Sequence, residues 1–278
     1  MEPLALSSPD LPPLLVLPAV GALAGLLGGM FGIGGGLVMI PALLLILGPL
    51  YGPDSLHLYK LASLASSVVV SIPATMRQAR ARAIVAPMLR GIIPLGIVGV
   101  AAGVVLAGLF SKENTHWLAR LFGLFMIAAV ALQVTMARSG NGDGGNVSSC
   151  PTATRWLRLG LIVGLPAGVI AGLLGVAGGI WAVPAQSQIL GVRVRYAIAN
   201  STAMIIGVAG AAVGFQSVAV AGLGLDPVDG LWLGLWLAPG AVVGGWWGAV
   251  LSHRLPVAWL RYLFYGVLVA TGLRLALG

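Results

Sequence analysis

The chain has 278 residues, of which 59% are hydrophobic and 8% are charged, and its mean hydropathy is +1.02. Soluble domains carry about a quarter charged residues, so this composition excludes a water-exposed globular protein. The formal net charge is +8, but the arginines lie at the ends of apolar runs rather than along one soluble face. This distribution argues against nucleic-acid binding and is typical of residues that orient a membrane protein.

Eight long apolar runs occupy most of the chain. They are residues 14–48, 58–76, 87–110, 117–137, 159–191, 196–223, 231–252 and 256–277. A transmembrane helix requires about 20 largely apolar residues, so the sequence predicts an all-α polytopic membrane protein. The first run follows Glu2 and Asp10 and has no basic leader, so we expect it to be retained as structure rather than removed as a signal peptide.

The two halves of the chain are internal repeats. Residues 21–48 align without a gap with residues 164–191 and are identical at 12 positions. Three later segments follow in the same order, since 61–64 match 199–202, 94–99 match 239–244, and 117–122 match 259–264. We therefore predict a first membrane repeat at 11–138, a Gly-, Ser- and Asn-rich linker at 139–154, and a second membrane repeat at 155–278.

The first run of each half is too long for one straight crossing and contains a glycine cluster, at 32–36 and at 175–179. If each run crosses once, the repeats are parallel and the fifteen Lys and Arg divide eight to seven between the two sides. If each run turns back at its glycines, the repeats are inverted and the division is eleven to four, with Lys60 among the four outer cations. The positive-inside rule favours the second arrangement. We predict two inverted-topology repeats, each a glycine-broken helical hairpin plus three transmembrane helices, with both termini outside.

The two glycine-rich segments are also characteristic of a family. Residues 25–41 read GLLGGMFGIGGGLVMIP and residues 172–184 read GLLGVAGGIWAVP, and a serine-containing helix follows each. Over residues 20–277 the chain resembles the TauE/SafE family of sulfite and organosulfonate exporters. The resemblance implies export of small sulfur-containing anions across a bacterial inner membrane. Ala62 stands where the family commonly has Thr, and Arg77 stands where His is frequent, so the exact substrate is left open.

An anion held inside a membrane protein needs hydrogen-bond donors without bulk water. The N–H groups at the start of a broken helix supply such donors, and hydroxyl and amide side chains add to them. The predicted substrate-binding residues are Gly34, Gly35, Gly36, Gly178, Gly179, Ser63, Ser66, Asn200, Ser201, Thr202, Gln186, Gln188 and Arg77, with Ser67 as a further hydroxyl.

Each of these residues has a purely structural alternative. Glycines spaced by four residues make close helix contacts. A lone serine or threonine in a membrane helix usually bonds the carbonyl of its own preceding turn. Arginines such as Arg77 usually fix topology.

The sequence predicts a secondary transporter that works by alternating access at a midplane site between the repeats. A passive anion channel of the same architecture, or a transporter of a different small anion, remains the alternative. No HExxH or GxSxG motif occurs, so we expect no enzyme, and we expect no cofactor and no metal. No carboxylate lies in an apolar run, so a coupled proton is predicted to travel on the substrate or through His57. The expected partners are a small anion and the lipid bilayer, with the oligomeric state, a homodimer included, left open.

Overall fold

The computed structural model describes residues 11–48, 56–108, 115–138, 153–251, 265–266, 268–270 and 272–273. These ranges are almost entirely helical, and no strand forms within them. Most of the predicted linker at 139–154 and most of the predicted last run at 256–277 lie outside the described residues.

The described residues of the first half form α1 (Leu11–Phe31), α2 (Gly36–Ile46), α3 (Leu56–Arg80), α4 (Ala86–Gly108) and α5 (Thr115–Arg138). In the second half, α6 (Ala153–Leu159) continues through a π-helical turn (Gly160–Gly164) into α7 (Leu165–Leu174). There follow α8 (Gly179–Pro184), a second π-helical turn (Ala185–Ile189), α9 (Val194–Gly222) and α10 (Pro227–Leu251).

Among the described residues, five helical segments are long and apolar enough to cross a bilayer. They are Leu56–Arg80, Ala86–Gly108, Trp156–Leu174, Val194–Gly222 and Pro227–Leu251. This confirms the predicted all-α multi-pass membrane protein.

Both glycine clusters interrupt their helices where the sequence analysis placed the breaks. After α1, Gly32, Gly34 and Gly35 have φ angles of +69°, +81° and +74°, and α7 ends at Gly175 with φ of +75°. Residues with a Cβ rarely adopt this left-handed conformation, so glycine permits the chain to leave the helix here. The chain then folds back on itself, because the backbone of Gly35 lies against Ala24 of α1.

The hairpin helices pack against helices of the opposite half. In the seam between α1 and α10, Gly21, Gly25 and Gly29 face Leu237, Ala241 and Gly245 in that order. Where α7 and the π-helical turn before it pack on α4, Gly164, Gly168 and Gly172 face Ile92, Gly96 and Val100 in that order. The two seams use equivalent positions of the repeat, and in each the paired helices run in the same direction. For these glycines the interpretation as close helix contacts is correct.

The central helices α3 and α9 complete the bundle. α3 packs against α10, with Ala62 facing Gly234 and Val70 facing Gly245, so these two helices run in the same direction. α9 packs against α4 in the equivalent way, with Asn200 beside Met88 and Gly207 beside Ile93. α3 and α9 also pack against each other. They carry most of the buried polar side chains in the described part of the chain.

Candidate functional site

The two glycine breaks meet in the interior of the protein. We call residues 32–36 the first tip and residues 175–179 the second tip. A Cβ added at Gly179 would lie 2.7 Å from the Cα of Ile33, and one added at Gly34 would lie 3.0 Å from the Cβ of Ala177. Ile33 and Ala177 are completely buried. Non-helical backbone inside a bilayer has to be shielded from lipid, and here the backbone of both tips is enclosed by protein.

Two serines hold the tips in place by reciprocal hydrogen bonds. The Ser63 hydroxyl of α3 donates to the Gly175 carbonyl at 3.1 Å, and the Ser201 hydroxyl of α9 donates to the Gly32 carbonyl at 2.7 Å. Both serines are completely buried and occupy equivalent positions of the repeat. Each central helix thus secures the tip of the opposite half.

Two other predicted hydroxyls do not reach the tips. The Ser66 hydroxyl donates to the Gly234 carbonyl at 3.2 Å and so ties α3 to α10. The Thr202 hydroxyl donates at 2.7 Å to the carbonyl of Ile198, four residues earlier in the same helix. Thr202 therefore follows the structural alternative.

Asn200 and Gln186 form a buried amide pair. The Asn200 Oδ1 accepts from the Val85 N–H at 2.7 Å, and its Nδ2 donates to the Gln186 Oε1 at 3.1 Å. The Gln186 Nε2 donates to the Ala182 carbonyl at 3.1 Å. Because these groups satisfy one another and nearby backbone, the pair fixes the start of α4 against α9 and the chain after α8. The structure does not bring Gln188 into this pair, since its side chain is exposed.

The start of α2 forms a polar corner. α2 follows Gly35, and its first residue, Gly36, faces the hydroxyls of two residues of α3. A Cβ at Gly36 would lie 2.6 Å from the Ser63 Oγ and 3.3 Å from the Ser67 Oγ. The first N–H groups of a helix have no acceptor within the helix, so this corner combines backbone donors with side-chain hydroxyls.

The equivalent corner of the second half has no side-chain hydroxyl among its nearest contacts. There a Cβ at Gly179 would meet the Gly32 carbonyl, Ile33 and the Ile205 side chain. Gly178, which precedes α8 with φ of +71°, packs against Ala167 of α7. The predicted tip glycines are therefore brought together, and among the described residues only the first tip is bordered by more than one hydroxyl.

Lys60 is the functional candidate that the sequence analysis missed. It was counted as a cation at the outer edge, yet it lies inside α3 and is only 1% exposed. A Cβ at Gly175 would lie 2.6 Å from the Lys60 Cβ, so the lysine stem covers the second tip. The Lys60 Nζ has no hydrogen-bond partner among the described residues. Lys60 lies one helical turn before the predicted site residue Ser63, and this spacing is the sequence signal that could have identified it.

Arg77 lies away from the tips. It is 14 residues beyond Ser63 on the same helix, which corresponds to about 21 Å at 1.5 Å per residue. Its side chain is half-buried, and its Nε has no hydrogen-bond partner among the described residues.

His57, the predicted alternative route for a coupled proton, is part of α3 rather than of a loop. In the described part of the chain no group of His, Cys, Asp and Glu is suited to holding a metal ion.

The fold and the site define a multi-pass helical membrane protein with two broken helices meeting at a buried polar centre, which is a construction found in secondary transporters. The profile of the family described as Sulfite exporter TauE/SafE matches residues 17–275. The chain belongs to this family.

Curated relatives carry the same general description. A probable membrane transporter protein of Haemophilus influenzae is 28% identical over 277 residues, which cover 95% of this chain and 98% of the relative. A probable membrane transporter protein of Methanocaldococcus jannaschii is 30% identical over 198 residues, covering 70% of this chain and 67% of the relative. The probable membrane transporter protein MamO of Paramagnetospirillum magneticum is 27% identical over 91% of this chain, but the match spans only 42% of MamO. No solved structure matches the chain.

Proposed function

We propose that the protein is a secondary transporter that exports small sulfur-containing anions, sulfite or an organosulfonate, across the bacterial inner membrane. The observation that carries the proposal is the contact between the two glycine tips, each secured by a serine of the opposite half. Broken helices present unpaired backbone donors to an anion, and such a site lies between repeats in secondary transporters. The family description supplies the class of substrate.

The proposal includes inverted repeats. The ascending order of contacts between α1, α3 and α10 makes these three helices run in one direction, and the order between α4, α7 and α9 makes those three share a direction. α3 and α4 are joined by residues 81–85 only, and two membrane-spanning helices joined so closely must cross in opposite directions. The equivalent helices α1 and α7 then run in opposite directions. This supports inversion, with both termini outside following from the positive-inside rule.

The packing also suggests which parts move. The glycine seams join α1 to α10 and α7 to α4. Because α3 also packs on α10 and α9 on α4, one unit contains α1, α3 and α10, and a second contains α4, α7 and α9. The two units touch mainly through α3, α9 and the tips. Alternating access is then a rocking of these units about the tips, which opens the site to one side at a time.

Vesicle transport tests the function. The purified protein in liposomes is loaded with unlabelled sulfite, and entry of labelled sulfite is followed with and without a proton gradient. A secondary transporter gives uptake that is accelerated by sulfite on the opposite side, because the loaded carrier returns. Uptake without this acceleration would indicate the passive channel. Uptake equal to that of liposomes without protein would refute anion transport.

Cysteine labelling tests the orientation. In a Cys150→Ser background, Ala81→Cys marks the turn between α3 and α4, and Leu225→Cys marks the equivalent turn between α9 and α10. Inverted repeats place these turns on opposite sides, so a membrane-impermeant maleimide applied to right-side-out vesicles should label Leu225→Cys and leave Ala81→Cys unlabelled until the membrane is opened. Labelling of both from one side would refute the inversion.

A further inference from the structure

We propose that Lys60 and Ser67, together with the start of α2, form the subsite that binds the transported anion, and that this charged subsite belongs to the first repeat only. The inference rests on the proposed function and deepens it, because it names the groups that recognise the negative charge.

The burial of Lys60 is the first observation. A lysine near the end of a membrane helix ordinarily extends its charged group to the interface. Lys60 is instead 1% exposed, its stem lies on the backbone of Gly175, and its Nζ has no partner among the described residues. A buried ammonium without a counter-charge is strongly unfavourable in a low-dielectric interior. A bound anion is the partner that would satisfy it.

The corner at the start of α2 is the second observation. The Ser67 Oγ is completely buried and has no hydrogen-bond partner within the described part of the chain, although it lies beside Gly36, the first residue of the 11-residue helix α2. Other hydroxyls in these helices, such as that of Ser217, bond the carbonyl of their own preceding turn. An unpaired hydroxyl facing the positive end of a helix is suited to an oxyanion.

The third observation is that the repeat is broken at these positions. Extending the alignment of Ser63 with Ser201 along both helices pairs Lys60 with Ile198 and Ser67 with Ile205. One face of α3 carries Lys60, Ser63, Ser67, Ser71, Thr75 and Gln78, whereas the equivalent face of α9 carries Ile198, Ser201, Ile205, Ala209, Val213 and Gln216. The serines that secure the tips and the last glutamine are shared by both halves. Four positions are polar in the first half alone. The fold that both repeats share does not require polar side chains there, so their polarity favours a role in binding.

Variants of Lys60 provide the test. The full-length protein in detergent is titrated with sulfite, and the rise in its thermal unfolding temperature reports binding, while sulfite uptake is measured in liposomes. Lys60→Met removes the charge at similar length, and we expect sulfite to bind about tenfold to a hundredfold more weakly. Lys60→Arg should retain more affinity than Lys60→Met. Ser67→Ala should weaken binding about threefold to tenfold. Arg195→Gln removes the same formal charge from an exposed position in α9 and should bind sulfite as the wild type does.

The stability of the free protein distinguishes binding from folding. Replacing an unpaired buried ammonium with an apolar side chain leaves the unliganded unfolding temperature unchanged or raises it. Unaltered sulfite binding by Lys60→Met, with wild-type transport intact, would overturn the subsite and leave the proposed function standing. A lowered unfolding temperature with unchanged affinity would do the same, since it would assign Lys60 a structural role. Failure of the wild type itself to transport sulfite or sulfoacetate would refute the proposed function.

Discussion

Adding a single methyl group at Gly25 should destabilise the packing of α1 against α10. A Cβ at this position would lie 2.6 Å from the Ala241 carbonyl oxygen and 2.9 Å from the Gly245 nitrogen. Ordinary contact begins at 3.4 Å, so the helices would have to separate by 3.4 − 2.6 = 0.8 Å at the first of these contacts. Overpacking costs about 1–3 kcal/mol, with the upper end expected here because backbone atoms cannot rotate away. Replacing a helical glycine with alanine returns about 1 kcal/mol. We therefore expect Gly25→Ala to lower the free energy of unfolding by about 2 kcal/mol.

Gly210→Ala is the matched control for this experiment. Gly210 also lies within a helix, but a Cβ there would meet no atom of the described residues within 4 Å, apart from the nearby backbone of its own helix. The same substitution should leave stability unchanged or raise it by up to about 1 kcal/mol. Both variants are unfolded in mixed detergent micelles, and the midpoints are compared with the wild type. Equal stability of the two variants would show that the absence of a side chain does not set the distance between α1 and α10.

Two further substitutions test the contacts that position the tips and the amide pair. Ser201→Ala removes the hydrogen bond to the Gly32 carbonyl and leaves that carbonyl buried, so the free energy of unfolding should fall by about 1–3 kcal/mol. Ser217→Ala is the control, since it loses only a bond within its own helix and should change stability by less than about 0.5 kcal/mol. Equal losses in the two variants would argue against the cross-repeat contact. Asn200→Ala leaves the Val85 N–H without its acceptor and should cost about 1–3 kcal/mol in the same unfolding assay, whereas a variant as stable as the wild type would show that this contact does not stabilise the fold.

Much of the fold follows from local properties of the sequence. The apolar runs predicted a helical membrane protein because lipid requires every backbone group to be paired within the protein. The helix breaks at the two tips were predicted from the glycine clusters, since only glycine adopts positive φ without strain. The repeat alignment also identified Ser63 and Ser201 as equivalent residues before their reciprocal bonds were known. The family resemblance drawn from the same segments is confirmed over residues 17–275.

The individual polar residues were harder to interpret. A serine or amide within an apolar run has to find a partner, but the sequence does not tell whether that partner is a ligand, a distant carbonyl or its own helix. Asn200 and Gln186 looked like binding residues and proved to bond each other. Gln188, two residues further on, faces outward. Lys60 was assigned to an outer edge because a charge near the end of an apolar run usually lies there.

Composition and glycine placement determined the class of protein and the positions of its breaks, because both depend on interactions within a few residues or with the bilayer. Only the tertiary structure decided which groups meet at the centre. The bonds that secure the tips join residues separated by 112 and 169 positions, and such partners are selected by the packing of whole helices. The same packing buries Lys60 against the second tip, since it is the direction of α3 relative to that tip, rather than any local pattern, that removes this charge from water.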